Sequence, residues 1–152
     1  MFRGYSALTL DTKGRISIPK RYRGELDEIC EGKLIVTLNR DACLSLFPMN
    51  EWEEVERRLS RVSRLNQKAK RLQRRYVAYA TECETDAQGR IPLPSLLRKE
   101  AGIEKQIFLI GQLQMFEIWS EQNWATEFEQ SDDDLGLESL EDLEAQLGNI
   151  PL

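Results

Sequence analysis

The sequence predicts an α+β protein made of two tandem copies of one β-α-β unit with flanking helices, and three observations carry that prediction. The stretch DTKGRISIPKRYR at 11–23 returns as DAQGRIPLPSLLR at 86–98. Asp11, Gly14, Arg15, Ile16, Pro19 and Arg23 match Asp86, Gly89, Arg90, Ile91, Pro94 and Arg98 at one offset of 75. Farther on, KLIVTLNR (33–40) aligns with KQIFLIGQ (105–112) and LSLFPMNEW (44–52) with FEIWSEQNW (116–124), both at an offset of 72. Between the copies runs a long stretch of helical periodicity. A duplication governs every later reading, because each copy should repeat the same local fold. The chain therefore divides into a first unit at 5–52, a helical linker at 53–79, a second unit at 80–124 and an acidic C-terminal tail or helix at 125–152.

Within a unit the pattern reads strand, tight turn, strand, short helix, strand, strand, helix. SALTLD and RISIP alternate apolar and polar residues, and the T-K-G between them supplies turn chemistry. Asp11 at the turn start is placed to accept backbone N–H bonds, and Gly14 to take a positive φ. Pro19 and Pro94 follow the second strands, where a missing N–H is tolerated and a helix begins. LIVTL, SLF, IFLIG and MFEIW are rich in β-formers. Asn50 with Glu53 suggests a capping box for the next helix.

The linker places Trp52, Val55, Leu59, Val62, Leu65, Ala69, Leu72 and Tyr76 at steps of three or four, one apolar stripe with a break expected near 63–66. Nine basic residues surround it, and no acid occurs from 57 to 81. Three uses fit this basic face: solvation, contact with the acidic tail, or contact with phosphate. In the tail, Leu135, Leu137, Leu140, Leu143 and Leu147 among Asp and Glu read as a helix with an apolar edge, after a flexible stretch at 130–137. The tryptophans and the aliphatic strand positions read as core, and Phe2 and Tyr5 as core or interface.

Composition excludes several function classes. Histidine is absent, which removes Ser-His-Asp and Cys-His catalysis and every histidine-based metal site. Cys30, Cys43 and Cys83 are widely spaced, form no C-x-x-C pair, and read as small buried hydrophobes. No cofactor, no small-molecule substrate and no enzymatic activity are expected. No apolar run reaches membrane-spanning length, and the opening MFRGYSALTLD lacks the features of a secretory signal, so the expected location is the cytoplasm. The formal net charge of −5 conceals an asymmetry: eleven acids and no base follow Lys105, leaving residues 1–105 at a net +6.

The basic half concentrates on the repeated motif. Lys13, Arg15, Lys20, Arg21 and Arg23 fall within eleven residues. A tight turn would hold Lys13 and Arg15 at the tip or edge of a two-stranded ribbon. Such a ribbon fits a DNA major groove, where arginine donates two hydrogen bonds to guanine O6 and N7. The bland alternative is a hairpin turn whose arginine merely pairs with its aspartate. The second copy is poorer in charge, with Gln88, Ser95 and Leu96 in place of Lys13, Lys20 and Arg21, so the first copy should carry more of any DNA contact.

The paired motifs D-x-K-G-R-I-x-I-P and D-x-x-G-R-I-x-L-P, together with the opening MFRG and Trp52 and Trp124, resemble the MraZ family of bacterial transcriptional regulators, from Met1 to at least Trp124. The units of that family belong to the AbrB/SpoVT class of swapped-hairpin DNA-binding domains. The resemblance implies two AbrB-like halves joined within one chain as a pseudo-twofold swapped-hairpin β-barrel, assembled into a ring-shaped homo-oligomer. It also implies a nucleoid-associated repressor binding short promoter repeats in double-stranded DNA, upstream of its own operon and the division and cell-wall genes. The signature positions carried over are Asp11, Gly14, Arg15, Asp86, Gly89 and Arg90, with Lys13, Lys20 and Arg21 as basic helpers. A protein-interaction or antitoxin-like oligomeric module without DNA affinity is the alternative.

Overall fold

The computed structural model describes residues 1–134 and 145–148. The first copy contains β1 (Tyr5–Thr9), β2 (Arg15–Ser17), α1 (Lys20–Cys30), β3 (Lys33–Leu38), β4 (Leu44–Pro48) and α2 (Met49–Ser60). After α3 (Gln67–Ala78), the second copy gives β5 (Thr81–Glu84), β6 (Arg90–Pro92), α4 (Ser95–Glu100), β7 (Gln106–Gly111), β8 (Phe116–Ser120) and α5 (Glu121–Asp134). The element order is the one the duplication predicts, and the expected break in the linker helix falls between α2 and α3.

The strands do not stay within their own copy. Six form one antiparallel sheet in the order β1-β7-β8-β4-β3-β5, and β2 pairs only with β6. The ribbon is thus not made by the adjacent strands β1 and β2. The turn between them is closed by Asp11 N–H to Arg15 O at 2.9 Å and Gly14 N–H to Asp11 O at 3.0 Å. Beyond that closure β1 is laddered to β7, and β2 turns to the other copy. In two ladders a residue faces its own repeat counterpart: Ile16 opposite Ile91, and Ser45 opposite Glu117.

Alternation in the sheet decides which face is core. Leu34, Val36, Leu38, Leu44, Leu46, Ile107, Leu109, Phe116 and Ile118 point to one side, where Ile16, Ile18, Ile91 and Leu93 from the ribbon segments, and Tyr22, Leu26 and Leu97 from α1 and α4, complete a continuous cluster. Ile16 and Ile91 are fully buried at its centre. Phe2 closes the cluster against Phe116 and Tyr22, with ring centroids 4.5 and 5.9 Å away, so of the two N-terminal aromatics Phe2 is core and Tyr5 is exposed. The opposite side of the sheet carries α2, α3 and α5. Trp52 and Trp119 are buried there, while Trp124 is half-buried.

Buried polar side chains are satisfied, as the cost of an orphan in a dry interior requires. Thr37 Oγ1 donates to Tyr76 O at 2.6 Å, tying α3 to β3, and Ser45 Oγ accepts from Asn39 Nδ2 at 2.9 Å. Helix starts are handled by proline or by a polar cap. Pro19, Pro48 and Pro94 precede α1, α2 and α4 in extended geometry with no side-chain cap bond. The expected Asn50–Glu53 capping box is therefore absent: α2 begins one residue before Asn50, so Asn50 lies inside the first turn rather than ahead of it. Asn66 caps α3, accepting from Lys68 and Ala69 N–H, and Ser120 Oγ accepts from Asn123 N–H at 3.0 Å in the first turn of α5.

The linker's apolar stripe is only partly covered. Trp52 is buried, but no residue of α3 is, and Leu65 in the break is 91% exposed. Of the flexible stretch expected at 130–137, residues 130–134 are instead the end of α5, which continues to Asp134; the rest of that stretch and most of the predicted tail helix fall outside the described residues.

Candidate nucleic-acid interface

The ribbon of β2 and β6 is the place where both copies of the repeated motif meet. Its register sets Arg15 opposite Pro92 and Ser17 opposite Arg90. Because side chains alternate along a strand, Ile16 and Ile91 point into the core while Arg15 and Arg90 share the outer face. Two positions apart on the ladder, they are diagonal neighbours, within reach of each other for side chains as long as arginine.

Each arginine is held by the aspartate that opens its turn. Asp11 accepts the N–H of Lys13 and of Arg15, both at 2.9 Å through Oδ1, and Arg15 Nε at 2.7 Å through Oδ2. Asp86 repeats the pattern with the N–H of Gln88 at 2.9 Å, the N–H of Arg90 at 2.8 Å and Arg90 Nε at 2.8 Å. The backbone N–H of Arg15 holds the Asp11 carboxyl below its ordinary value of 3.8, helped by Arg15 Nε and the Lys13 N–H and opposed by partial desolvation. Asp86 is lowered in the same way by Arg90 and Gln88. The aspartate–arginine pair of the bland reading therefore does form. It engages only Nε, however, and among the described residues no hydrogen bond occupies the two Nη groups of Arg15 or Arg90. A side chain fixed by its Nε with its Nη edge open is pre-oriented for bidentate donation.

The turns are also held across the copies. Gly14 and Gly89 have φ of +75° and +74° and are buried. The Arg98 guanidinium lies against Gly14 and that of Arg23 against Gly89. Arg98 Nε donates to Leu93 O at 2.9 Å, and Arg23 Nε to Ile18 O at 2.7 Å. Two backbone bonds complete the exchange, Ile18 N–H to Gly89 O at 2.8 Å and Leu93 N–H to Gly14 O at 2.9 Å. The arginine that ends each motif thus clamps the glycine of the other. The sequence marks Arg23 and Arg98 as a matched pair but gives no sign that each serves the opposite turn.

The remaining site candidates separate. Lys13, at the turn tip, and Lys20, at the start of α1, are exposed and have no ion pair among the described residues. Arg21 is engaged locally: its Nη2 donates to Ser6 Oγ at 2.5 Å and Tyr22 Oη at 3.0 Å, and its guanidinium stacks 4.5 Å over the Tyr22 ring. It braces α1 on β1. In the second copy Gln88 occupies the tip position of Lys13, so the outer face is more basic on the first-copy side. No three His, Cys, Asp or Glu side chains cluster as a metal site among the described residues.

A family model described as "MraZ protein, putative antitoxin-like" matches this chain over residues 1–75 and 77–144. The chain belongs to the MraZ family. Among similar proteins, the transcriptional regulator MraZ of Methylococcus capsulatus is 49% identical over 150 residues, 99% of this chain and 99% of that one. The MraZ regulator of Thioalkalivibrio sulfidiphilus is 50% identical over 82% of this chain and 83% of its own, and that of Histophilus somni (strain 129Pt) 51% over 85% and 86%. The two family-model matches meet at the linker, between the two copies of the motif.

Proposed function

We propose that this MraZ-family chain is a DNA-binding transcriptional regulator that reads short promoter repeats in double-stranded DNA with the outer face of the β2–β6 ribbon. The observation that carries this reading is the pair of arginines, Arg15 and Arg90, each anchored through Nε to an aspartate with its Nη edge open. Arg15 is the principal base reader, Lys13 and Lys20 contact phosphate, and Arg90 is the weaker second reader. Asp11, Gly14, Asp86 and Gly89 shape the turns, and Arg21 supports α1. The cross-copy pairing of β1 with β7, β2 with β6 and β3 with β5 supports an intrachain pseudo-twofold swapped-hairpin barrel formed by the units 5–52 and 80–124.

The names of the relatives support transcriptional regulation, and the family resemblance supplies the rest of the reading. That remainder is a ring-shaped homo-oligomer, cytoplasmic and nucleoid-associated, repressing its own operon and the division and cell-wall genes. Repetition compensates for a small reader: linked copies on repeated elements gain about 10²–10⁴ in avidity. The test is a footprint on the DNA upstream of the chain's own gene, with Arg15→Ala and Arg90→Ala beside wild type. Loss of a bidentate guanine contact costs about 1–3 kcal/mol per site, roughly 5- to 150-fold, and Arg15→Ala should lose more than Arg90→Ala. Affinity should fall steeply with salt, as phosphate contacts release counterions. Unchanged affinity and sequence preference in Arg15→Ala would defeat this reading. An absence of salt-dependent binding would favour an interaction module, the class that the antitoxin-like family description suggests.

A further inference from the structure

A second basic surface lies on α3. An open groove of about 450 Å³ runs along α3, lined by Arg40, Lys68, Ala69, Arg71, Leu72 and Arg75. Its cations are not neutralised by the chain around them: among the described residues Arg40, Lys68, Arg71 and Arg75 take no ion pair, in contrast to Arg57 and Arg58 on α2, which both pair with Glu54. Arg75 is held in place by donating Nε and Nη2 to Asn39 O at 3.2 and 3.0 Å. The floor is apolar, with half-buried Leu72 and Ala69. A rim of fixed and free cations around an apolar floor suits an acidic amphipathic segment better than a phosphate backbone, which has no apolar edge to bury.

One segment of this chain has that composition. Residues 137–147 read LESLEDLEAQL, with Leu137, Leu140, Leu143 and Leu147 at steps of three, three and four, four acids among them and no base. A helix of this spacing lines the leucines along one edge and flanks them with carboxylates. The described end of the segment is not docked on its own chain: residues 145–148 are exposed, Leu147 by 61%. The exposed Leu147 and an open groove on the same chain are satisfied together when two copies meet.

We propose that the α3 groove receives residues 137–147 of a second copy of the chain, with the leucines on Leu72 and Ala69 and the acids between Arg40, Lys68, Arg71 and Arg75. The contact is heterologous, groove to tail, so it propagates from copy to copy. It stands apart from the DNA reading, since it uses neither the ribbon nor its arginines.

Amide hydrogen exchange by mass spectrometry on the full chain tests it, without DNA. Peptides from 137–147 should exchange at least ~10-fold more slowly than the free-segment rate, and this protection should disappear in high salt as the charges are screened. Arg71→Glu/Arg75→Glu should abolish it, as should Glu141→Lys/Asp142→Lys. Mixing the two variants should protect the wild-type tail of the Arg71→Glu/Arg75→Glu chain, because that tail then finds an intact groove on the other copy. No protection in wild type, protection insensitive to Arg71→Glu/Arg75→Glu, or failure of mixing to restore it would each overturn the proposal. So would duplex DNA as occupant, seen as weaker DNA binding by Arg71→Glu/Arg75→Glu with tail exchange unaltered.

Discussion

Replacing Gly14 with alanine tests the cross-copy clamp directly. Two costs follow from the local geometry. At φ +75° an L-residue sits in the left-handed region, at about 1–2 kcal/mol. The new Cβ would lie 2.9 Å from Arg98 Cζ and Nη2, so the guanidinium has to move. Moving it strains or breaks the 2.9 Å bond from Arg98 Nε to Leu93 O, worth about 1 kcal/mol net. The expected destabilisation is about 2–3 kcal/mol, a large share of a typical domain's stability. Urea denaturation at fixed protomer concentration measures it, and a shift of the midpoint by about 1 M or more is expected for an m-value near 2 kcal/mol/M. Gly89→Ala should cost more, because its Cβ would meet Nε, Cζ and Cδ of Arg23, atoms nearer the stem and harder to displace. The decisive comparison is a double-mutant cycle. With Arg98 already truncated to alanine, Gly14→Ala should lose only its backbone term and become cheaper by about 1 kcal/mol. Additivity within about 0.5 kcal/mol would refute the clamp, since residues not in contact add to that degree.

Further outcomes follow from the same structure. Asn66→Ala removes the cap that accepts Lys68 and Ala69 N–H, which should cost about 1 kcal/mol and speed exchange across α3 roughly fivefold, read by peptide-level hydrogen exchange. Burial pushes the Cys83 thiol up to about 12 and raises Cys43 and Cys30 as well, so a thiol reagent at pH 8 should label the native chain slowly and all three cysteines rapidly in urea. Fast labelling of Cys43 before unfolding would contradict its place in the interior. Asp11 and Asp86 have lowered pKa values in the fold, so their contribution is present above the ordinary 3.8 and is lost as pH falls through the lower folded values. Stability measured between pH 5 and 2 should therefore decline toward acid, and less steeply in Asp11→Asn/Asp86→Asn.

Much of the fold was legible because its local signals agree. Alternation marked β1 and β2, β-former content marked β3, β4, β7 and β8, proline marked the starts of α1 and α4, and the break expected near 63–66 lies between α2 and α3, where Asn66 caps the second helix. Asp11 and Gly14 announced their turn by residue type alone, since an Asx acceptor followed by a positive-φ position is local chemistry. The Asn50–Glu53 capping box misled because Pro48 ends β4 and α2 follows it at once, leaving no room for a polar cap. The linker stripe misled in another way: Val62 and Leu65 keep helical spacing in the sequence but fall in the break between α2 and α3, and Leu65 meets solvent.

The repeat determined that each half would contain the same strands, turns and helices, because those depend on residues close together in the chain. It also placed Arg15 and Arg90 in equivalent turns. Only the tertiary structure decided which strand lies beside which, since hydrogen bonds of a ladder are indifferent to whether the partner comes from the same copy or the other. That decision turned two separate D-x-x-G-R turns into one ribbon, put Ile16 against Ile91 in the core, and brought Arg15 and Arg90 onto a single face. It also gave Arg98 to Gly14 and Arg23 to Gly89, contacts between residues 84 and 66 positions apart that no local preference could specify.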